Sequence, residues 1–293
     1  MPNKSPLEGE NIKIILIMLL GWTCFSLADA NAKNLSAGYD PSLIITLTAS
    51  FNFIVIGGWI LVKRGIKGFI SEKWKLLAFR GFLTGVTSFG VVNALSLIPI
   101  ADLYGITFSA PFISVILSVL LLKESVGWHR WLTVVAGFIG VVILIGPQFN
   151  TLNIGISHAI VATLCIAFST IVVRFIGTKE YMPLIIWYSG LGMLAVNAPI
   201  AISVGTLPAI PDLIYFLTNG VLILAAMLMT TYALAHAKST ASVAPFVYIQ
   251  AIWGIVFGII FFGDTPNIAT ISGLIIIVSA GLYMLYRERQ LNR

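Results

Sequence analysis

The stretch Asn93–Pro147 decides the fold of this chain. It begins NALSLIPIADLYGITFSAPFISVILSVLLLKESVGWHRW and continues as a second apolar run, LTVVAGFIGVVILIGP. Roughly 20 apolar residues span a bilayer as a helix, so the stretch encodes two membrane helices joined by a short charged turn. About 140 positions later the pattern returns, with Tyr232 in the place of Asn93 and Asp264 in the place of Glu124. The sequence therefore predicts a five-helix unit written twice.

The composition is that of an integral membrane protein. Hydrophobic residues make up 58% of the chain and charged residues 10%, with a mean hydropathy of +1.00. A soluble domain carries about 25% charged residues. The net charge of +6 comes from basic residues that lie in the turns between apolar runs, so we interpret it as a topology signal and predict no nucleic-acid partner.

Ten apolar runs predict ten transmembrane helices. They are Ile12–Ala30, Ser42–Val62, Leu76–Ile98, Leu103–Leu122, Trp131–Pro147, Ile154–Val173, Leu184–Val204, Leu213–Ala235, Ser242–Phe262 and Ala269–Tyr286. If the N-terminus is cytoplasmic, every Lys and Arg of the chain except Lys33 falls on the cytoplasmic side, so we predict that both termini are cytoplasmic. Because five is odd, the units 1–150 and 151–293 enter the membrane from opposite sides and form an inverted repeat.

Several segments resemble a known family. They are FSLADANAK at 25–33, RG at 80–81, TFSAP at 107–111, LKESVGWHRW at 122–131, GFIG at 137–140, APFVYIQ at 244–250 and FFGDTP at 261–266. In this order they resemble the EamA-like branch of the drug/metabolite transporter superfamily. The resemblance implies a ten-helix secondary transporter, in a branch whose members move amino acids, riboflavin, S-adenosylmethionine or drugs. Relatives often carry an arginine where Ala49 stands, and its absence here counts against an anionic substrate.

Polar residues in the middle of the apolar runs are the candidate substrate-binding groups. A glutamine that faced lipid would be left without partners, and Gln250 shares a helix face with Trp253. Pro111 and Pro245 interrupt the backbone hydrogen bonding nearby and free carbonyl groups. An uncharged pocket lined by aromatic and amide groups suits a zwitterionic or planar polar metabolite, although small hydroxyls also serve to pack membrane helices together. The predicted substrate-binding residues are Asn93, Thr107, Ser109, Tyr232, Tyr248, Gln250 and Trp253.

Four ionisable residues are candidates for coupling or gating, since charge within a membrane is costly. Asp29 is either a coupling carboxylate or half of an ion pair with Lys33, four residues further along the same helix face. Asp102 is either part of an external gate or a cap on the fourth helix. His236 titrates near neutral pH but lies at a helix end, which also suits an interface role.

Two further predictions concern a turn and metals. Glu124 and Arg130 lie in the turn after the fourth run, where we predict a structural pair. The three histidines lie at helix ends, so no metal site is predicted.

These features favour a secondary transporter of an amino-acid-like metabolite that works by alternating access, most naturally in export. A proton or a counter-substrate is the candidate coupling partner. The alternative is uptake of a vitamin or nucleoside-like metabolite such as riboflavin or S-adenosylmethionine, and a more remote one is a non-transporting membrane scaffold. The sequence has no paired carboxylates, nucleophile–base set or nucleotide-binding motif, so we predict neither an enzyme nor a cofactor. The expected location is the cytoplasmic (inner) membrane, and one chain suffices for a complete path, so an oligomer is not required.

Overall fold

The computed structural model describes residues 12–123, 127–146, 153–177, 180–237 and 243–291. Within these ranges the protein is all-helical, and ten of its helical segments are long and apolar enough to cross a membrane, which confirms the predicted fold class. The α-helices are α1 Ile12–Leu35, α2 Pro41–Arg64, α3 Trp74–Leu97, α4 Ile100–Thr107, α5 Ala110–Leu122, α6 Trp128–Ile145, α7 Ile154–Ile176, α8 Met182–Val204, α9 Leu213–His236, α10 Ile249–Phe262 and α11 Ile268–Leu291.

The fourth and ninth spans are broken helices. The fourth consists of α4 and α5, separated at Phe108 and Ser109, and Pro111 stands in the first turn of α5, where its missing N–H costs nothing. The ninth begins as a 3-10 turn, Ala244–Tyr248, that contains Pro245 and continues directly into α10. Both prolines were expected to interrupt the backbone bonding. The breaks place the start of α10 against α4, deep in the bundle.

Glycines bring α3 and α8 into backbone contact. A Cβ atom on Gly192 would collide with the backbone of Gly81, and one on Gly85 would collide with the carbonyl of Gly192. Small residues permit such close approach between membrane helices, where dispersion contacts rather than the hydrophobic effect drive association. The contact fixes which face of α3 is turned toward the centre of the bundle.

Helices of the two predicted five-helix units pack against each other in a reciprocal pattern. α1 packs against α9, and α3 packs against α7, so the first helix of each predicted unit contacts the third helix of the other. α6 packs along α11, and these are the last helices of the two units. Such pairing is what a twofold relation between five-helix units requires. The inverted relation and the unit boundary at 150/151 stay predictions.

We call the side of the bundle on which α1 begins and α11 ends the terminal face. Ten crossings return the chain to the side on which it started, so the connections between α1 and α2, α3 and α4, α8 and α9, and α10 and α11 lie at the opposite face. The assignment of the terminal face to the cytoplasm stays a prediction from the distribution of Lys and Arg.

Candidate functional site

A cavity of about 490 Å³ lies at the centre of the bundle. Its lining comes from α1, α2, α3, α4, α7, α8, α9 and α10, and among the lining residues none belongs to α6 or α11. Its aromatic lining includes Trp22 and Phe25. Its polar lining residues are Asp29, Thr48, Arg80, Thr84, Thr87, Ser88, Tyr104, Thr107, Asn219 and Gln250.

A partly buried hydrogen bond holds the carboxyl group of Asp29 in the cavity. The hydroxyl of Tyr104 donates to Oδ2 of Asp29 at 2.7 Å and so joins α4 to α1. Tyr104 is 4% exposed and Gln250, which lines the same region from α10, is 8% exposed. Asp29 is therefore bound across the bundle to Tyr104, and Nζ of Lys33 lies instead beside Ile98 and Asp264, so the alternative of an Asp29–Lys33 ion pair is not formed in this structure.

Arg80 brings a guanidinium group into the cavity from α3. Its Nη1 donates to the hydroxyl of Ser189 on α8 at 2.7 Å. Its Nε is buried and has no hydrogen-bond acceptor among the described residues. The neighbouring Gly81 lies against α8, which explains why the Arg80 side chain is directed between the helices instead of along the lipid.

A chain of amides and a hydroxyl links three helices beside the cavity. Asn219 on α9 donates to the hydroxyl of Thr48 on α2 at 3.0 Å. Asn31 on α1 donates to the carbonyl of Tyr215 at 2.9 Å and lies 3.4 Å from Oδ1 of Asn219. These bonds tie α1, α2 and α9 together on the side of the cavity nearer the opposite face.

Polar contacts close the bundle at the opposite face. Nζ of Lys33 donates to the carbonyl of Ile98 at 2.8 Å and lies 3.9 Å from Oδ2 of Asp264. The hydroxyl of Thr270 donates to Oδ1 of Asp102 at 2.8 Å, and Asp102 is 3% exposed. Both carboxylates line a polar chamber of about 340 Å³ between α4, α10 and α11. We call these contacts, together with the next one, the opposite-face gate.

The third contact of this gate joins the α1–α2 connection to the start of α9. The hydroxyl of Tyr39 donates to Oδ2 of Asp212 at 2.5 Å and accepts from the N–H of Ala209 at 3.0 Å. The hydrogen bond to the Asp212 carboxylate raises the pKa of Tyr39, because the bond is made by the protonated phenol. The gate therefore joins the end of α1 to the ends of α3 and α10, α4 to α11, and the α1–α2 connection to the chain before α9 in this conformation.

Of the seven predicted substrate-binding residues, the structure places Thr107 and Gln250 in the cavity lining. Asn93 donates to the carbonyl of Phe89 in its own helix, and Ser109 donates to the carbonyl of Ile106 at the break after α4. Neither residue lines the cavity, because the Asn93 amide and the Ser109 hydroxyl each donate to a backbone carbonyl three or four residues earlier in the chain.

The three predicted aromatic ligands also lie outside the cavity. Tyr248 packs edge-on against Phe108 with ring centroids 5.1 Å apart, and Trp253 donates from Nε1 to the hydroxyl of Thr23 at 3.0 Å. Tyr232 is 42% exposed on the outside of α9 and stacks on His236 with ring centroids 4.0 Å apart. The cavity lining does not include these three residues in this conformation, and their binding roles stay predictions.

The candidate coupling residues separate into three places. Asp29 lines the cavity, whereas Lys33 and Asp102 belong to the opposite-face gate. His236 is exposed at the end of α9, and its Nδ1 lies 2.9 Å from the carbonyl of Tyr232. It lies outside the cavity, which agrees with the interface role.

The structural turn is described only in part. Glu124 lies outside the described residues, so its pairing with Arg130 stays a prediction. Arg130 lies in the first turn of α6, and its carbonyl accepts a hydrogen bond from Thr133. The described residues contain no group of three His, Cys, Asp or Glu side chains that would hold a metal ion.

Sequence reasoning missed several cavity residues. Arg80 was interpreted only as part of the topology signal, and Trp22, Thr48, Tyr104 and Asn219 were not singled out. Arg80 precedes a glycine, and a glycine beside a charged residue in an apolar run was the available signal for close helix contact. Thr48 and Asn219 carried no such signal, because whether their side chains point into the cavity depends on the rotation of α2 and α9 about their own axes.

Ten membrane-length helical segments among the described residues enclose a central cavity that carries several polar side chains, and a polar gate lies over one end of the bundle. This architecture is that of a membrane transporter. Residues 12–146 match the model of the EamA-like transporter family, the family that the sequence resembles. The chain is a multi-pass protein of the inner membrane and is similar to membrane transporters along most of its length.

Similar proteins align along nearly the whole chain. An S-adenosylmethionine uptake transporter of Rickettsia bellii is 24% identical over 92% of this chain and 94% of its own length. A riboflavin transporter of Brucella anthropi is 25% identical over 86% of this chain and 91% of its own length. One crystal structure superposes with a TM-score of 0.63 at 17% identity, covering 92% of this chain and 96% of the other, and it supports the fold alone.

Proposed function

We propose that this protein is a secondary carrier for uptake of a nucleoside-like zwitterionic metabolite of the S-adenosylmethionine type. The observation that carries the proposal is the half-buried carboxyl group of Asp29, which is held by Tyr104 and lies in one cavity with Gln250 and two aromatic rings. A carboxylate pairs with an ammonium or a sulfonium group, which this substrate class carries and a vitamin such as riboflavin does not.

The remaining lining suits a planar base. The amide of Gln250 donates and accepts hydrogen bonds, as the edge of a nucleobase does. Trp22 and Phe25 present aromatic faces, and stacking on such faces is available to any base. The cavity volume of about 490 Å³ falls in the range of small-molecule sites.

The names of similar proteins support this choice. They include S-adenosylmethionine uptake and riboflavin transport, so they favour the alternative of nucleoside-like or vitamin uptake over export of amino acids. Riboflavin is the second candidate substrate, supported by the aromatic and amide lining. However, riboflavin carries no charged group that would pair with Asp29 or Arg80.

We infer transport by alternating access. Lys33 and Asp102 act in the opposite-face gate, which must open for a substrate to reach Asp29 from that side. Asp29 is the candidate site at which a proton or a counter-substrate is coupled to the substrate, because it lies in the cavity where either would compete with a cationic group. Arg130 and Glu124 keep their proposed role in the turn before α6.

The test is uptake of radiolabelled S-adenosylmethionine into proteoliposomes, with competition by riboflavin and by neutral and aromatic amino acids. We expect saturable uptake that S-adenosylhomocysteine competes weakly, since it lacks the positive sulfonium. Asp29→Asn and Gln250→Ala should each reduce uptake about tenfold or more, the loss expected for one hydrogen bond to a charged or polar group.

Tyr232→Phe serves as the matched control, because Tyr232 is a polar aromatic residue of the same bundle that lies outside the cavity. Its uptake should equal that of the unaltered protein. Saturable uptake of riboflavin alone would replace the proposed substrate by the second candidate. No saturable movement of any member of the panel by folded protein would overturn the carrier proposal.

A further inference from the structure

Arg80 has a buried hydrogen-bond donor without an acceptor in the described part of the chain, at the wall of the cavity. One end of its guanidinium is held by Ser189, which is 3% exposed, while Nε is buried without an acceptor among the described residues. A guanidinium matches a carboxylate through two parallel N–H···O bonds, and leaving a buried donor unpaired is costly. A bound carboxylate would satisfy the unpaired donor.

Arg80 and Asp29 lie at different depths of the same cavity. The cavity follows α3 from Arg80 to Val92, twelve residues that correspond to about 18 Å of helix. Lys33 contacts the carbonyl of Ile98 beyond this stretch, and Asp29 is one helix turn before Lys33. Asp29 therefore lies near the Val92 end, and Arg80 lies at the end nearer the terminal face.

On the basis of the proposed function, we propose that Arg80 binds the carboxylate of the substrate and so orients it lengthwise. The amino-acid end of the metabolite lies at Arg80, its sulfonium is directed toward Asp29, and its base lies beside Tyr104 and Gln250. The hydroxyls of Thr84, Thr87 and Ser88 line the α3 wall between the two ends. Two charged groups of opposite sign at opposite ends of one cavity select a long zwitterion over an uncharged or purely cationic molecule.

A purely structural role for Arg80 makes a different prediction. If Arg80 only joined α3 to α8 through Ser189, then its removal would affect all substrates alike, and Ser189→Ala would reproduce the effect. If it binds a carboxylate, then its removal affects only those substrates that carry one. The discriminating quantity is therefore the ratio between two substrates that differ by the carboxylate alone.

The experiment compares S-adenosylmethionine with its decarboxylated analogue as competitors of uptake. We expect the unaltered protein to prefer the carboxylate form by about 10- to 100-fold, and Arg80→Gln to bring the ratio near one. Arg80→Lys should recover part of the preference, since an ammonium keeps the charge and loses the paired geometry. Ser189→Ala should keep the preference.

Arg64→Gln is the matched control. Its guanidinium stacks on the ring of Tyr181 at 3.7 Å, also toward the terminal face but outside the cavity, so the same loss of charge should leave the ratio unchanged. A preference that survives Arg80→Gln, or that falls equally in Arg64→Gln, would overturn the assignment.

A second ligand pair separates this proposal from the proposed function. Purified protein is tested for thermal stabilisation by methionine and by 3-(methylthio)propylamine, which differ by the carboxylate and need no nucleoside. Failure of S-adenosylmethionine uptake with Arg80-dependent preference for methionine would reject the nucleoside substrate and retain the carboxylate site. Absence of preference in both ligand pairs would reject the carboxylate site itself.

Discussion

Asp264→Asn should open the opposite-face gate more often. The substitution keeps the size of the side chain and removes the charge that lies 3.9 Å from Nζ of Lys33. Two unit charges at about 4 Å attract each other by about 1 kcal/mol in water and by about 4 kcal/mol at the effective dielectric near a protein surface. Both side chains are partly buried, with 15% and 21% exposure, so the attraction lies between these limits.

The net loss is smaller than the Coulomb energy. Lys33 keeps its hydrogen bond to the carbonyl of Ile98, and the new amide still offers an acceptor oxygen. We expect a cost to the closed gate of about 1–2 kcal/mol, which raises the population open at the opposite face about 5- to 30-fold. The mechanism predicts a change in the conformational equilibrium, not in folding.

The assay follows a cysteine at the cavity wall. Thr87→Cys is introduced with Cys24→Ser and Cys165→Ser, and a membrane-impermeant maleimide is applied from the opposite face. The labelling rate should rise by the same 5- to 30-fold when Asp264→Asn is added.

Asp40→Asn is the matched control for this measurement. It makes the same chemical change at the same face, and its side chain caps α2 through Ser42, a role that asparagine fills equally well. An unchanged labelling rate in Asp264→Asn, or an equal rise in both variants, would refute the gate reasoning.

Two further predictions concern stability and pH. Gly192→Ala should lower the midpoint of thermal unfolding by several degrees, because the added Cβ would collide with the backbone of Gly81 and such overpacking costs about 1–3 kcal/mol. Gly58→Ala is the control, since Gly58 has open space around it and the midpoint should not change. Tyr39→Phe should raise labelling from the opposite face, since it removes the bond to Asp212. Because the pKa of Tyr39 is raised, its hydrogen bond to Asp212 is fully present below the ordinary tyrosine pKa of about 10 and is lost as the pH rises through the raised value. Labelling should therefore increase in alkaline buffer in the parent protein and should not increase in Tyr39→Phe.

The ten spans and the two helix breaks could be predicted because both depend on local properties. Apolar length decides whether a segment crosses a bilayer, and Pro111 and Pro245 remove a backbone donor wherever they stand. The facing of polar residues could not be predicted in the same way. Gln250 and Trp253 are three residues apart on one helix, yet the first faces the cavity and the second bonds to Thr23 on α1.

The charged residues show the same limit more sharply. Lys33 stands four residues after Asp29, a spacing that favours an ion pair. In the fold, however, Asp29 accepts a hydrogen bond from Tyr104, and Lys33 forms an ion pair with Asp264. Arg80 lies near the end of its span, where a long side chain also reaches the membrane surface. Only the glycine contact between α3 and α8 decides that it enters the cavity.

The pairing of α6 with α11 has a practical consequence for experiments on transport. These helices are held together by close contact, with the position of a Cβ on Gly273 only 2.7 Å from the carbonyl oxygen of Gly140, and they contribute nothing to the lining of the cavity. Their outward surface, including Val142 and Ile275, is exposed. An antibody fragment or a fluorophore attached at the terminal-face end of this pair, away from the gate contact of Thr270, would mark a reference outside the substrate path. Distances measured from it to α1 or α9 would record the opening of the carrier while it is turning over.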